Sequence, residues 1–179
     1  GQATFDAIFE AINEAKTYVL IQFYIVRADA LGQKLKDKLI EAAKRGVSVR
    51  FMMDAVGSYG LPKDYIEEMR AAGITVSDPH EQRGPKFRFQ LNYRNHRKTV
   101  VIDGETGFIG GHNVGVEYLG RDPHFGHWRD THVRMTGHIV RQLQLIFIED
   151  WHWAHEEDLI DQLDWAGSEA DQDMNALLV

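Results

Sequence analysis

His96, Lys98 and Asp103 fall in the segment Asn95-His-Arg-Lys-Thr-Val-Val-Ile-Asp-Gly104, an H-x-K-x-x-x-x-D pattern, and Asn113 follows in Gly110-Gly111-His112-Asn113. An imidazole and an ammonium two residues apart on extended chain project from the same face, as a nucleophile and a cation acting on one phosphate must. The three-residue pattern arises by chance in roughly 3% of chains with this composition, and adding Gly110 and Asn113 lowers that to about 1 in 10,000. A histidine flanked by Asn95 and Arg97 would otherwise read as plain surface. The downstream Gly-Gly-x-Asn turns the reading toward catalysis.

The charge pattern agrees. The net charge is −7, which argues against a surface built to grip nucleic acid. Yet Arg83, Lys86, Arg88, Arg94, Arg97 and Lys98 crowd into residues 82–102 with no acid among them, so an anion is expected there. Beyond Arg141 the chain carries acids and no Lys or Arg, and residues 164–179 read as an acidic linker or tail after a domain spanning 1–163. No apolar run approaches the ~20 residues of a membrane span, and the N-terminus lacks the features of a signal peptide. With no cysteine, disulfides and thiolate metal sites are excluded.

The elements that must hold these residues alternate. Phe5, Ile8, Phe9 and Ile12 recur at helical spacing, and 17–26 reads as a buried strand. A helix over 31–45 stopped by Gly46, a strand over 47–54, a helix from Pro62 to Gly73 and a short strand over 74–77 follow. This rhythm predicts an α/β fold with a mostly parallel or mixed sheet flanked by helices. Strands over 99–102 and 107–109 flank an Asp103-Gly104 turn, 128–135 reads as a further strand, and 139–153 as a long helix.

In these stretches the chain resembles the phospholipase D superfamily, with its H-x-K-x4-D-x6-G-S/G-x-N signature, and within it the bacterial cardiolipin synthases. The closer likeness is carried by Asp54-Ala-Val-Gly-Ser58, Leu91-Asn-Tyr-Arg-Asn-His-Arg-Lys98, Phe108-Ile-Gly-Gly-His-Asn-Val114 and Trp128-Arg-Asp-Thr-His132. The resemblance implies covalent catalysis without a metal or other cofactor. His96 would attack phosphorus and carry a phosphatidyl group, while Lys98 and Asn113 bind the non-bridging oxygens. Gly111 stands where many members have serine, so a hydroxyl donor is missing and a backbone N–H is expected to contact phosphate instead, with Gly110 and Gly111 as phosphate-binding positions. Asp130 is the candidate acid behind the nucleophilic imidazole. Asp103 belongs to the motif, and its reading is mainly structural.

The same resemblance implies transfer between two phosphatidylglycerol molecules with release of glycerol, an anionic phospholipid partner, a membrane surface and no nucleic acid. The parent protein would then sit at a bacterial inner membrane. Such sites use two motifs, the second histidine serving as acid and then base, and only one occurs here. Either a second half follows in a longer chain, or two copies pair about a twofold axis, giving a phospholipase or nuclease. A catalytically silent lipid-binding half is the non-enzymatic alternative. Without a second motif the chain is expected to be inactive or weak.

Arg94 and Arg97 could attract a phosphate or headgroup, and Glu117 a substrate hydroxyl. Phe87, Phe89, Tyr93 and Trp128 could line an acyl-chain or membrane-facing groove, but aromatics near strands are more often core. Glu149-x-x-His152 supplies one copy of a pattern that a di-iron site needs twice, and His124-x-x-His127 lacks a third ligand.

Overall fold

A computed structural model describes residues 1–77, 96–167 and 176–178. Arg83, Lys86, Arg88 and Arg94, with Phe87, Phe89 and Tyr93, lie outside the described residues.

Helix α1 (Gln2–Glu14) presents Phe5, Ile8, Phe9 and Ile12 to the interior and leads into β1 (Tyr18–Phe23), which is buried along its whole length. Helix α2 (Ala30–Lys44) starts on Asp29, whose Oδ1 accepts from the N–H groups of Leu31 and Gly32, an N-cap that satisfies two orphan donors. Strand β2 (Ser48–Met53), helix α3 (Lys63–Ala71, entered from Pro62) and β3 (Thr75–Val76) complete the alternating half. β1 pairs in parallel with β2, and β2 with β3.

The second half runs the other way. β4 (Thr99–Ile102), β5 (Thr106–Gly110) and β6 (His132–Thr136) are antiparallel, and β4 joins β1, so the six-stranded sheet has the order β3-β2-β1-β4-β5-β6 and is mixed. Asp103 (φ 53°) and Gly104 (φ 71°) are both left-handed at the β4–β5 turn, the backbone that an Asp-Gly pair favours in tight hairpins. β6 begins four residues later than the sequence pattern suggests. Its partner β5 ends at Gly110, opposite His132, so Trp128–Thr131 has no strand beside it.

Alternation along the strands separates two cores. Val19, Ile21, Phe51, Val100 and Phe108 join the layer of α1, α2 and α3. Leu20, Met52 and Val101 meet Leu143, Phe147 and Trp151 of α4 (Ile139–His155) on the other face. The packed part continues past Leu163, because the Asp164 carbonyl accepts from Gln144 Nε2 at 3.0 Å and its N–H donates to the Tyr18 hydroxyl at 3.2 Å.

The sheet thereby acquires two unlike edges. β1 and β2 end, β4 begins, β5 ends and β6 begins at one edge, beyond the carboxyl ends of the parallel strands, where open α/β sheets commonly bind ligands. The Asp103 turn lies at the other.

Candidate active site

His96 and Lys98 lie at the carboxyl edge, on the segment that becomes β4. Lys98 Nζ stands 2.8 Å from His96 Nδ1 and 3.2 Å from Nε2, and it also donates to the His96 carbonyl. The Tyr24 ring, one residue past β1, packs 4.9 Å from the His96 ring and 5.8 Å from the ammonium. Lys98 is only 3% exposed, whereas His96 reaches solvent. Burial pushes the Lys98 ammonium down to about 8, against an upward pull from Asp130. Burial and the neighbouring Lys98 charge lower His96, against Asp54, so its imidazole is neutral and nucleophilic near pH 7.

Asn113 follows β5 in a segment that docks alongside β1. Val114 bridges to Val26, and Asn113 Oδ1 accepts the Ile25 N–H at 2.9 Å while Nδ2 faces the Tyr118 hydroxyl at 3.4 Å. The carbonyl therefore anchors the loop, leaving the amide nitrogen as the donor end.

The two glycines have a steric explanation. A Cβ on Gly111 would stand 1.9 Å from Asp130 Oδ1, and one on Gly110 would stand 2.6 Å from the Cγ of His132. Glycine is needed at 111 because the Asp130 carboxylate occupies the space, and at 110 because the backbone of Thr131 and His132 comes as close as the His132 side chain. The Gly111 N–H donates to the Thr131 carbonyl at 2.9 Å, continuing the β5–β6 ladder.

The other expected residues separate. Asp130 is placed by Gly111 and acts electrostatically on Lys98, while the carboxylate that acts on His96 is that of Asp54, whose Oδ1 accepts from Val56 and Gly57 N–H at the end of β2. Asp103 stands five residues beyond Lys98, roughly 16 Å of strand. Its carboxylate accepts from Lys16 N, Thr17 N, Thr17 Oγ1 and Tyr18 N at 2.6–2.9 Å, which lowers its pKa against burial.

Arg97, between His96 and Lys98, faces the opposite side of the sheet and meets both Asp150 oxygens at 2.7 Å on α4. Strand alternation forbids it from sharing their face. Glu117, on a 3-10 helix (Val116–Leu119), is buried, pairs with Arg27 Nε at 3.3 Å and folds over Gly115, an arrangement that ties two loops together. Trp128 packs edge-on against Tyr118 at 4.9 Å. Among the described residues no group of three or more His, Asp or Glu is arranged to hold a metal ion.

Sequence reasoning missed Tyr24, Asp54, His112 and His132. Asp54, His112 and His132 gave a hint, as members of stretches quoted for the family likeness, and Tyr24 gave none. Their proximity to the site depends on strand order and on the glycine gaps.

A neutral imidazole stands beside a cation at the carboxyl edge of a mixed α/β sheet, an arrangement able to act on a phosphate ester, and the fold is phospholipase D-like. Solved structures share this fold. Nuc from Salmonella typhimurium, a phospholipase D family member, superposes with a TM-score of 0.54 at 17% identity over 82% of this chain and 85% of its own. Phosphatidylserine synthase from Haemophilus influenzae does so with a TM-score of 0.59 at 18% identity over 83% of this chain and 34% of its own.

Sequence relationships are narrower. Cardiolipin synthase A of Pseudomonas aeruginosa is 53% identical over 154 residues, 86% of this chain and 31% of that protein. Cardiolipin synthase of Geobacillus thermodenitrificans is 51% identical over 160 residues, 89% of this chain and 32% of that protein. The family profile described as "Cardiolipin synthase, PLD-like domain" matches residues 8–151, and the chain belongs to that family. It spans about a third of the length of these curated relatives.

Proposed function

We propose that this domain carries the nucleophilic half of a cardiolipin-synthase-type phosphatidyl transfer. The observation that supports it is the His96–Lys98 contact at the sheet's carboxyl edge, within a sequence about half identical to cardiolipin synthases. The neutral imidazole attacks phosphorus of phosphatidylglycerol, a P–N bond forms, and the P–O bond to the terminal glycerol breaks. That alkoxide takes a proton from an acid supplied by a second motif. The hydroxyl of a second phosphatidylglycerol, returning its proton to the acid deprotonated in the first step, then attacks the phosphohistidine; the P–N bond breaks, giving cardiolipin and regenerating His96. Lys98, still largely protonated at pH 7, offsets charge on the phosphorane without metal, and the Asn113 amide donates to an oxygen beside it.

The second motif comes from a further third of a longer chain or from a second copy of this one. The shared length with the cardiolipin synthases, about a third of each, supports the first. By itself the domain is weak or silent. The substrate places the working surface at a membrane, although no helix among the described residues is long and apolar enough to cross one. Arg94 and Arg97 are assigned to headgroup attraction only in so far as Arg97 leaves Asp150. Glu117 has a positioning role through Arg27.

The experiment supplies 32P-labelled phosphatidylglycerol in mixed micelles to the chain, alone and with the complementary part of Pseudomonas cardiolipin synthase A, followed by denaturing quench. Acid-labile, alkali-stable label on the complemented wild type and none on His96→Ala is the expected result. Label on the alanine variant, or none on the complemented chain while the intact Pseudomonas enzyme is labelled, overturns the reading.

A further inference from the structure

One aromatic ring touches both His96 and Lys98. Tyr24 stands one residue past β1; its ring centre is 4.9 Å from that of His96, with the planes tilted by 50°, and Lys98 Nζ lies over it at 5.8 Å. Both separations fall inside the ~6 Å within which an aromatic ring attracts a cation. The transfer chemistry of His96, Lys98 and Asn113 leaves this ring without a task.

The backbone that carries the ring is fixed from two sides. Ser58, fully buried, accepts the Val26 N–H at 3.0 Å and donates to the Tyr24 carbonyl at 3.2 Å, while Asn113 Oδ1 accepts the Ile25 N–H between them at 2.9 Å. Gly57 permits the approach, because a Cβ there would stand 2.2 Å from the Tyr24 oxygen. Three consecutive residues past β1 are thereby held by side chains from the loops that follow β2 and β5, so the place of the Tyr24 ring is set by the fold.

Charge is what such a ring can answer. His96 enters the reaction neutral; when its nitrogen lone pair bonds phosphorus and the P–O bond to glycerol breaks, the imidazole keeps its other proton and becomes cationic, with the Lys98 ammonium 2.8 Å from its Nδ1. Like charges at that separation repel, and the same repulsion disfavours the protonated ring in the free protein. The charged groups acting on His96 are Lys98 from its own segment and Asp54 from the end of β2, with Asp130 acting on Lys98 in turn. An aromatic face attracts both cations without bringing a full negative charge that would repel the phosphate.

We propose that Tyr24 is a positioning residue of the site: its ring seats the His96 imidazole beside Lys98 and, through its π electrons, stabilises the positive charge that the imidazole acquires on taking the phosphatidyl group. The attraction is stronger after attack than before it, because a neutral imidazole carries no charge for the ring to attract, so it lowers the barrier beyond any effect on binding. The hydroxyl has no part in this. The kinetic consequence rests on the reading of His96 as nucleophile, whereas the attraction itself can be measured without lipid.

The test follows the His96 protonation midpoint by histidine NMR in this chain, since a protonated imidazole is the corresponding cation without substrate. Tyr24→Phe should leave the midpoint near the wild-type value, and Tyr24→Leu should lower it by about half a pH unit. Replacing Tyr24 by mono-, di- and trifluorinated phenylalanine drains the ring face of electron density at nearly constant size, and should lower the midpoint stepwise from that of Tyr24→Phe. A midpoint equal in Tyr24→Phe and Tyr24→Leu, or one that ignores fluorination, is what a ring that only fills space would give, and it overturns the proposal. Should the leucine variant not fold, the fluorinated series decides alone. In the complemented domain, label transfer to His96 should be about threefold slower with the trifluorinated ring than with Tyr24→Phe, and equal rates overturn the catalytic part. Absence of label from wild type and variants alike, with the midpoint series as expected, counts against the phosphohistidine reading and not against the ring's hold on the imidazolium.

Discussion

The two ends of strand β4 hold the two halves of one sequence motif, and they are built on opposite principles. At the turn end, Asp103 accepts four short hydrogen bonds from Lys16, Thr17 and Tyr18, so a partly buried charge is fully compensated and locks the α1–β1 loop to the β4–β5 hairpin. At the other end, a 3%-exposed lysine lies against an imidazole, its pKa held down, and the buried ring nitrogens of His112 and His132 have no hydrogen-bond partner among the described residues. Each buried polar group without a partner costs about 1–3 kcal/mol. One end stabilises the fold, and the other stores unfavourable burial that a phosphate's negative charge would relieve. A shared motif therefore does not imply a shared role.

The largest effect should come from the nucleophile. His96→Ala in the complemented domain is expected to lower phosphatidyl transfer by about 1,000-fold or more while leaving thermal unfolding nearly unchanged, because the ring is exposed. Measured kcat and Tm on the same preparation check both halves of that statement.

Lys98→Met should lower transfer by about 100-fold or more and leave Tm equal or higher, since a buried cation becomes an apolar chain of similar length. A melting temperature that falls as far as that of Asp103→Ala would break the contrast between the ends. For Asp103→Ala the expected loss is about 2–4 kcal/mol of stability, with chemistry retained at low temperature where the domain is still folded. Denaturant unfolding measures the first, and label transfer to His96 the second.

Proton linkage should also separate the ends. His132 has a folded-state pKa of about 4 against the ordinary 6.5, so the unfolded chain takes up the proton first and stability falls as pH drops from about 6.5 toward 4. Asp103 is depressed below 3.8, so its contribution is present above that value and is lost at lower pH, as the folded carboxylate protonates. His132→Phe should flatten the first window and Asp103→Ala the second, read from unfolding free energy against pH.

The smallest expected effect is on the rate profile. Transfer should rise as His96 loses its proton, below the ordinary histidine value, and decline as Lys98 loses its own near pH 8. Lys98→Arg should carry the alkaline limb upward without moving the acid one.

Much of the fold is legible in local periodicity. Phe5, Ile8, Phe9 and Ile12 announce α1, and the Asp103-Gly104 pair announces its hairpin, because both signals are set within a few residues. The antiparallel direction of β4–β6 and the late start of β6 depend on pairing partners distant in sequence. Arg97 illustrates a signal present but overridden. Its position between His96 and Lys98 already assigns it to the other face, yet its charge suggested the phosphate, and Asp150 on α4 takes it instead.

By itself the sequence determined the family, and it put His96 and Lys98 side by side, because two side chains two residues apart on extended chain share a face whatever surrounds them. It also determined the α/β character through apolar spacing. Only the tertiary structure decided which carboxylate serves which group, with Asp54 acting on His96 and Asp130 on Lys98. Only it showed that Gly110 and Gly111 are gaps filled by His132 and Asp130. Those assignments follow from strand order and register, which bring together residues up to 42 positions apart along the chain and which no local pattern encodes.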